Sequence, residues 1–195
     1  MRALGRVLAL LCLTAALAGC YPTSERPIGV SGTPAADQRL LGRWTGQIGT
    51  GKDTASLYVF PREKGQLEAL LVHPAAKDDK GGWTTASLLP GKAGAANILN
   101  AKLVLDDGAP AKEGTKDYTP VMYRFDADGT LRLFMLGDKA LEVAIRQGRI
   151  AGTIKENSFG DDVRLTADTK SLDAFFAANA ASLFTEDYGR FKRLD

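Results

Sequence analysis

Few residues in this 195-residue chain combine a reactive type with a telling position. Cys20 carries a thiol, a nucleophile that can be alkylated, and the small residues Ala18 and Gly19 just before it would let the backbone enter a peptidase cleft. Gly46-Gln47-Ile48-Gly49-Thr50-Gly51-Lys52 has the spacing of a phosphate-cradling loop. Asp53 stands where Ser or Thr should meet magnesium, and the segment that follows reads as a strand rather than a helix. The string is therefore expected to be a hairpin turn. His73 is the single histidine. It precedes Pro74 at a strand end, has no flanking nucleophile motif, and cannot build a histidine-rich zinc site alone. Asp126-x-Asp128-Gly129 opens like a calcium loop but lacks the distal Glu, and strands flank it. It too reads as a turn, as do Asp78-Asp79 and Asp161-Asp162. Arg124, Arg132 and Arg146 fall on the polar faces of predicted strands. One of them entering a cavity could meet an acidic head group; solvated charges are the plainer expectation. No catalytic residue, metal site or cofactor is expected, and the chain reads as non-enzymatic.

Cys20 has a context that the others lack. Met1 to Arg6 carries two positive charges and no negative one, and Val7 to Leu17 is almost wholly apolar. That is the basic region and apolar core of a signal peptide, too short to span a bilayer, which takes about 20 apolar residues. The run ends in Leu17-Ala18-Gly19-Cys20, which resembles the lipobox of bacterial lipoproteins. The resemblance implies a diacylglycerol thioether on Cys20, cleavage before it and acylation of the new amine by a palmitate-type chain. Two or three acyl chains make a lasting anchor. In enteric-type bacteria an Asp after the cysteine resembles an inner-membrane retention signal. Tyr21 occupies that place, so the expectation is the outer membrane, facing the periplasm.

Maturation changes the charge. The whole chain has 25 Lys plus Arg against 23 Asp plus Glu. Loss of residues 1–19 removes Arg2 and Arg6, leaving 23 against 23. A basic nucleic-acid surface is not indicated. Cys12 leaves with the signal and Cys20 is lipidated, so no disulfide is available to the mature domain. Residues 20–37, rich in Pro, Gly, Ser and Thr, read as a lipidated flexible tether. A single domain over 38–195 follows.

The elements that must position any site are short apolar runs separated by turn residues. Strands are expected at 41–49, 54–61, 66–73, 83–89, 96–105, 119–126, 130–136, 140–147, 149–156 and 161–167. Val121, Tyr123 and Phe125 alternate with Met122, Arg124 and Asp126; Leu141, Val143 and Ile145 alternate with Glu142 and Arg146. Period-two patterning with one buried face means strands. About eight to ten of them with short links predict a mainly β fold, an antiparallel meander closed as a barrel or folded as a sandwich. Segment 108–118 reads as a polar loop. Leu172, Phe175, Phe176, Ala180, Leu183 and Phe184 take helical spacing, which predicts one C-terminal amphipathic helix over about 169–184, lying on the barrel wall. Tyr188 to Asp195 reads as a short edge strand or a free tail. Both faces of 54–61 are apolar, so the side facing away from the interior is expected to be covered, with the C-terminal helix as the cover.

Gly42-Arg43-Trp44 at the first strand resembles the Gly-x-Trp signature of lipocalins, in which the glycine leaves room where the barrel closes and the tryptophan plugs that end. The order of meander, helix and extended tail is also similar. The sequence shows no counterpart of the arginine that packs over that tryptophan. The resemblance implies a lipocalin-like barrel. Barrel-end or ligand-lining residues are then sought among Gly42, Trp44, Tyr58, Phe60, Tyr123, Arg124 and Phe134. Two readings of function follow. In the favoured one the small barrel is filled, as small barrels usually are, and acts as a structural or protein-interaction module with an envelope partner. In the alternative it carries a small apolar or amphiphilic ligand. In both, the membrane is a partner through the N-terminal lipid.

Overall fold

The computed structural model describes residues 21–31, 36–49, 54–75, 80–111, 116–158 and 160–194. The signal segment and Cys20 lie outside the described residues. So do 50–53 of the glycine-rich string, Asp78-Asp79 and positions 112–115.

Eight strands close an antiparallel barrel. In chain order the elements are β1 (Thr23–Ser24), β2 (Gly42–Ile48), β3 (Thr54–Pro61), β4 (Leu67–His73), β5 (Gly82–Ala93), β6 (Ala96–Asp106), β7 (Ala109–Pro110), β8 (Thr119–Phe125) and β9 (Leu131–Met135). Then come helix α1 (Asp138–Arg146), β10 (Gly152–Lys155), β11 (Asp162–Leu165), helix α2 (Thr169–Leu183) and β12 (Glu186–Leu194). β2 through β6 pair in sequence, β6 pairs β8, and β8 pairs β9. β12 then seals the gap, pairing β9 on one side and β2 on the other. The tail is therefore the closing stave of the barrel, not an edge strand or a free end. Closure removes both sheet edges, which would otherwise expose unpaired backbone groups. At Gly46 the approach of β12 is so close that a Cβ would stand 1.9 Å from the Arg190 carbonyl oxygen.

Between β9 and β12 the chain leaves the barrel. β10 and β11 pair with each other, and β1 adds to β11 in parallel, making a small separate sheet. The strands expected near 149–156 and 161–167 thus exist but stand outside the barrel. Segment 140–147 is not a strand. It is α1, which buries Leu141 and Ala144 and leaves Val143 exposed. Leu141, Ala144 and Ile145 satisfy a helical period while Leu141, Val143 and Ile145 satisfy a strand period, and Lys139, Ala140, Leu141 and Glu142 are strong helix formers. Asp138 favours the start and Arg146 the end. Gly148, at φ +67°, terminates the helix by donating to the Ile145 carbonyl.

Two apolar cores result. One fills part of the barrel interior around Trp44, Leu57, Leu131 and Phe191. The other joins the outward faces of β6, β8 and β9, through Ile98, Met122 and Phe134, to α1, α2 and the small sheet. α2 starts at the Asp168 cap, whose carboxylate accepts from the Ser171 N–H, and packs on β5 and β6. It does not cover β3, whose outward Phe60 is 46% exposed.

Residues 21–31 are not a tether. Ser24 and Tyr118 exchange backbone hydrogen bonds of 2.8 Å each. Ile28 is wholly buried. Its N–H donates to Asn100 Oδ1 at 2.7 Å, and the Asn100 amide donates back to its carbonyl at 2.9 Å. The Gly29 N–H donates to Asp173 Oδ1 on α2. Ile28 and Val30 among turn-forming residues leave no period to read, yet one buried side chain suffices when the backbone around it finds buried partners.

Candidate functional site

The two ends of the barrel differ. One is plugged. The turn Gln38–Leu40 lies across it, capped by Asp37, whose carboxylate accepts from the Arg39 N–H and pairs with the Arg39 guanidinium. Hydrogen bonding to Arg39 holds the Asp37 carboxyl below the usual carboxylate range. Leu40 points inward, and its carbonyl accepts from Trp44 Nε1 at 2.9 Å. Arg193, paired with Trp44 in register, sets its guanidinium 5.5 Å from the Trp44 ring centroid. Arg39 lies 4.5 Å over Phe125, which packs against Trp44 and Tyr123. Burial pushes the Tyr123 phenol up to about 12.

The other half is hollow. The inward positions of β4, β5 and β6 run Leu67-Ala69-Leu71, Thr84-Ala86-Leu88 and Leu99-Ala101-Leu103. Pairing sets Ala69 opposite Ala86, Ala86 opposite Leu103 and Leu88 opposite Ala101. Small side chains on three neighbouring strands cannot reach across the barrel, and a cavity of about 200 Å³ remains. Leu57, Leu71, Val121, Leu133, Met135 and Phe191 complete its apolar wall, and Thr84, Thr119, Asp106, Tyr21 and Tyr188 bring polar atoms. Asp106 is the one carboxylate among the described lining residues. Tyr188 stands where the β12–β9 register slips between Asp187 and Gly189. Such a bulge re-aims a side chain, here toward the cavity. Its ring meets Tyr21 edge-on at 6.0 Å, and burial pushes its phenol up to about 12. Beside the bulge, Asp187 pairs with Arg132 and Arg190. Burial alone would raise the Asp187 carboxyl, but the two arginine hydrogen bonds outweigh it and hold it low. The site can take an apolar group into an apolar pocket and meet a polar head at the rim.

The filled interior expected from size alone is thus found only around Trp44. Gly42, at φ +119°, and Trp44 mark the plugged end, with Tyr123 beside them. Tyr58 and Phe60 stack on the outer wall, centroids 6.4 Å apart. Phe134 belongs to the outer core, beneath Arg124 and Arg132 at 4.9 and 5.0 Å. Arg124 is exposed beside Asp126, and Arg146 reaches Glu156 from α1. None of these residues lines the cavity. The alanines and threonines that do carry no clear sign in the sequence, because only the strand pairing brings Ala69, Ala86 and Ala101 together. Asp126, Asp128 and Gly129 form a turn, with Asp128 Oδ1 accepting from the Thr130 N–H. His73 ends β4 opposite Gly82. No protein-family model matches this chain, and neither a curated protein nor a solved structure matches it.

Proposed function

We propose that this is a lipid-anchored envelope protein whose barrel binds a small apolar or amphiphilic ligand. The observation that carries the reading is the apolar cavity of about 200 Å³ inside a closed barrel. An engineered apolar cavity of about 150 Å³ stays dry and takes up benzene, a six-carbon ligand. Scaled by volume, this one suits about eight carbons. At about 0.8 kcal/mol per buried methylene they contribute about 6 kcal/mol, a dissociation constant on the order of tens of micromolar. The polar rim suits the head of an amphiphile whose tail enters. Trp44 under Arg193 at the plugged end supports a lipocalin-like reading of the barrel, supplying the arginine that the sequence alone did not reveal. The lipobox supports the anchor, and Tyr21 rather than Asp after Cys20 supports an outer-membrane address.

The test is a series of fatty acids of rising chain length titrated against the delipidated domain, read by displacement of N-phenyl-1-naphthylamine. Affinity should rise with each methylene and level off near eight buried carbons. Absence of saturable displacement at every length would refute the reading. The interaction-module reading keeps one specific observation, the exposed Phe60 stacked on half-buried Tyr58 on the outer wall.

A further inference from the structure

The N-terminal segment ends at the cavity. Tyr21 forms part of the cavity wall. From Tyr21 the chain is fixed to the domain at Ser24, at Ile28 by Asn100, and at Gly29 by Asp173. Cys20 directly precedes Tyr21 in the sequence. The chain that leads to the proposed lipid thus leaves the described domain at Tyr21, beside the cavity mouth.

The same rim gathers aromatic side chains with polar tips. Tyr21 and Tyr188 line it. Trp83 precedes the lining Thr84 and points to the opposite face, half-buried; Tyr118 precedes the lining Thr119. Three of the chain's five tyrosines and one of its two tryptophans are thus at or beside the mouth. Amphipathic rings of these two types favour the membrane–water interface. The plugged end presents the charges of Arg39, Asp128, Lys192 and Arg193, while at the mouth Asp106, Asp107 and Lys102 stand among the rings.

We infer that the anchored protein stands with its cavity mouth against the bilayer and takes its ligand, the acyl chain of a membrane amphiphile, straight from that leaflet. This rests on the lipid anchor and the binding cavity proposed above. A stave of seven residues, as in β2, β4 and β8, rising about 3.3 Å per residue and tilted about 40°, makes the barrel about 20 Å tall. The two ends then sit at depths that a membrane quencher can tell apart.

The experiment uses the full lipidated chain in vesicles of phosphatidylethanolamine and phosphatidylglycerol. With Cys12 removed and Cys20 in a thioether, an introduced cysteine is the sole thiol. Val104→Cys lies on the outer face two residues before Asp106 at the rim, and Ala127→Cys lies in the exposed turn at the plugged end. Each carries an environment-sensitive fluorophore, and the vesicles carry a headgroup nitroxide lipid. The label at 104 should be quenched at least twofold more than the label at 127. Equal quenching, or the reverse order, overturns the orientation. Fatty-acid binding by the same proteins in detergent micelles reports the cavity separately. If it persists without selective quenching at 104, the orientation falls and the binding reading stands. If it is absent, the binding reading falls, and this inference with it.

Discussion

Replacing Ala86 by leucine tests the cavity by the sign of its effect. Ala86 faces inward between Ala69 on β4 and Leu103 on β6, and its Cβ borders the space. Leucine adds three carbons. In a solid core they would force neighbours off their rotamers, at a cost of about 1–3 kcal/mol. Here about 200 Å³ is open. At about 0.8 kcal/mol per buried carbon the gain has a ceiling of about 2.4 kcal/mol, and lost rotamer freedom lowers it to about 1.5–2. In a domain of this size that raises Tm by roughly 3–8 °C. The added side chain also takes space that the ligand needs, so affinity for an eight-carbon fatty acid should fall at least tenfold. Urea midpoints at constant m-value measure the first effect, and probe displacement the second. A loss of stability beyond 1 kcal/mol would mean the interior was already packed. A gain with unchanged affinity would mean the ligand binds elsewhere.

Other perturbations separate the parts of the molecule. Asn100→Ala removes three hydrogen bonds and orphans the buried N–H and carbonyl of Ile28. It should cost about 2–4 kcal/mol and speed cleavage after Glu25 by a glutamate-specific protease, which wild-type packing should resist; unchanged protection would show that the segment is not held by Asn100. Asp187→Asn strips Arg132 of its ion pair and should cost about 1–2 kcal/mol at neutral pH, by urea titration. Because the folded carboxyl titrates below its ordinary 3.8, the pair's contribution is full above that value and is lost as pH falls through the lower folded one. The variant's stability should therefore fall less on acidification than wild type's. Tyr123 and Tyr188 shift the other way, from 10.0 to about 12, because burial favours the neutral phenol. Their contribution is full below pH 10 and is lost as pH climbs to about 12. Tyr188→Phe should flatten the urea midpoint against pH between 10 and 12, and an unchanged slope would show Tyr188 to be already solvated.

The barrel strands were legible because alternation has one physical cause, an interior on one side. Val121, Tyr123 and Phe125 line the interior while Met122 and Arg124 face out, as their spacing requires. Where the pattern misled, a second cause was acting. In α1 a helix laid on the outer wall needs only Leu141, Ala144 and Ile145 on one side, but over nine residues Leu141, Val143 and Ile145 also read as strand alternation. β12 shows almost no alternation, since Phe191 is its one large, fully buried apolar residue. Its strand form is imposed by the open edges of β2 and β9, a tertiary demand that propensity does not carry. The order of residues 21–31 comes from Asn100, 72 positions beyond Ile28.

The site was hidden for a different reason. A search for ligand platforms picks out large aromatic side chains, but inside an eight-stranded barrel those are the residues that fill space. Trp44 and Tyr123 close their end because they are large. A cavity is instead made where side chains fall short, so its signature is alanine or threonine at an inward position. A single such residue means little, because a long neighbour can lean across. Ala69, Ala86 and Ala101 make a cavity together, and what joins them is register: Ala69 faces Ala86 across one strand pair, and Ala101 sits one pair further on. A one-residue slip in β5 would turn Ala86 to the outer face and put Leu88 and Thr84 there with it. The strand periods could be read from sequence, but the pairing that aligns three gaps into one chamber could not. For the same reason Ala86→Leu is the sharpest probe, because it changes the volume of the chamber without changing the alternation that builds the wall.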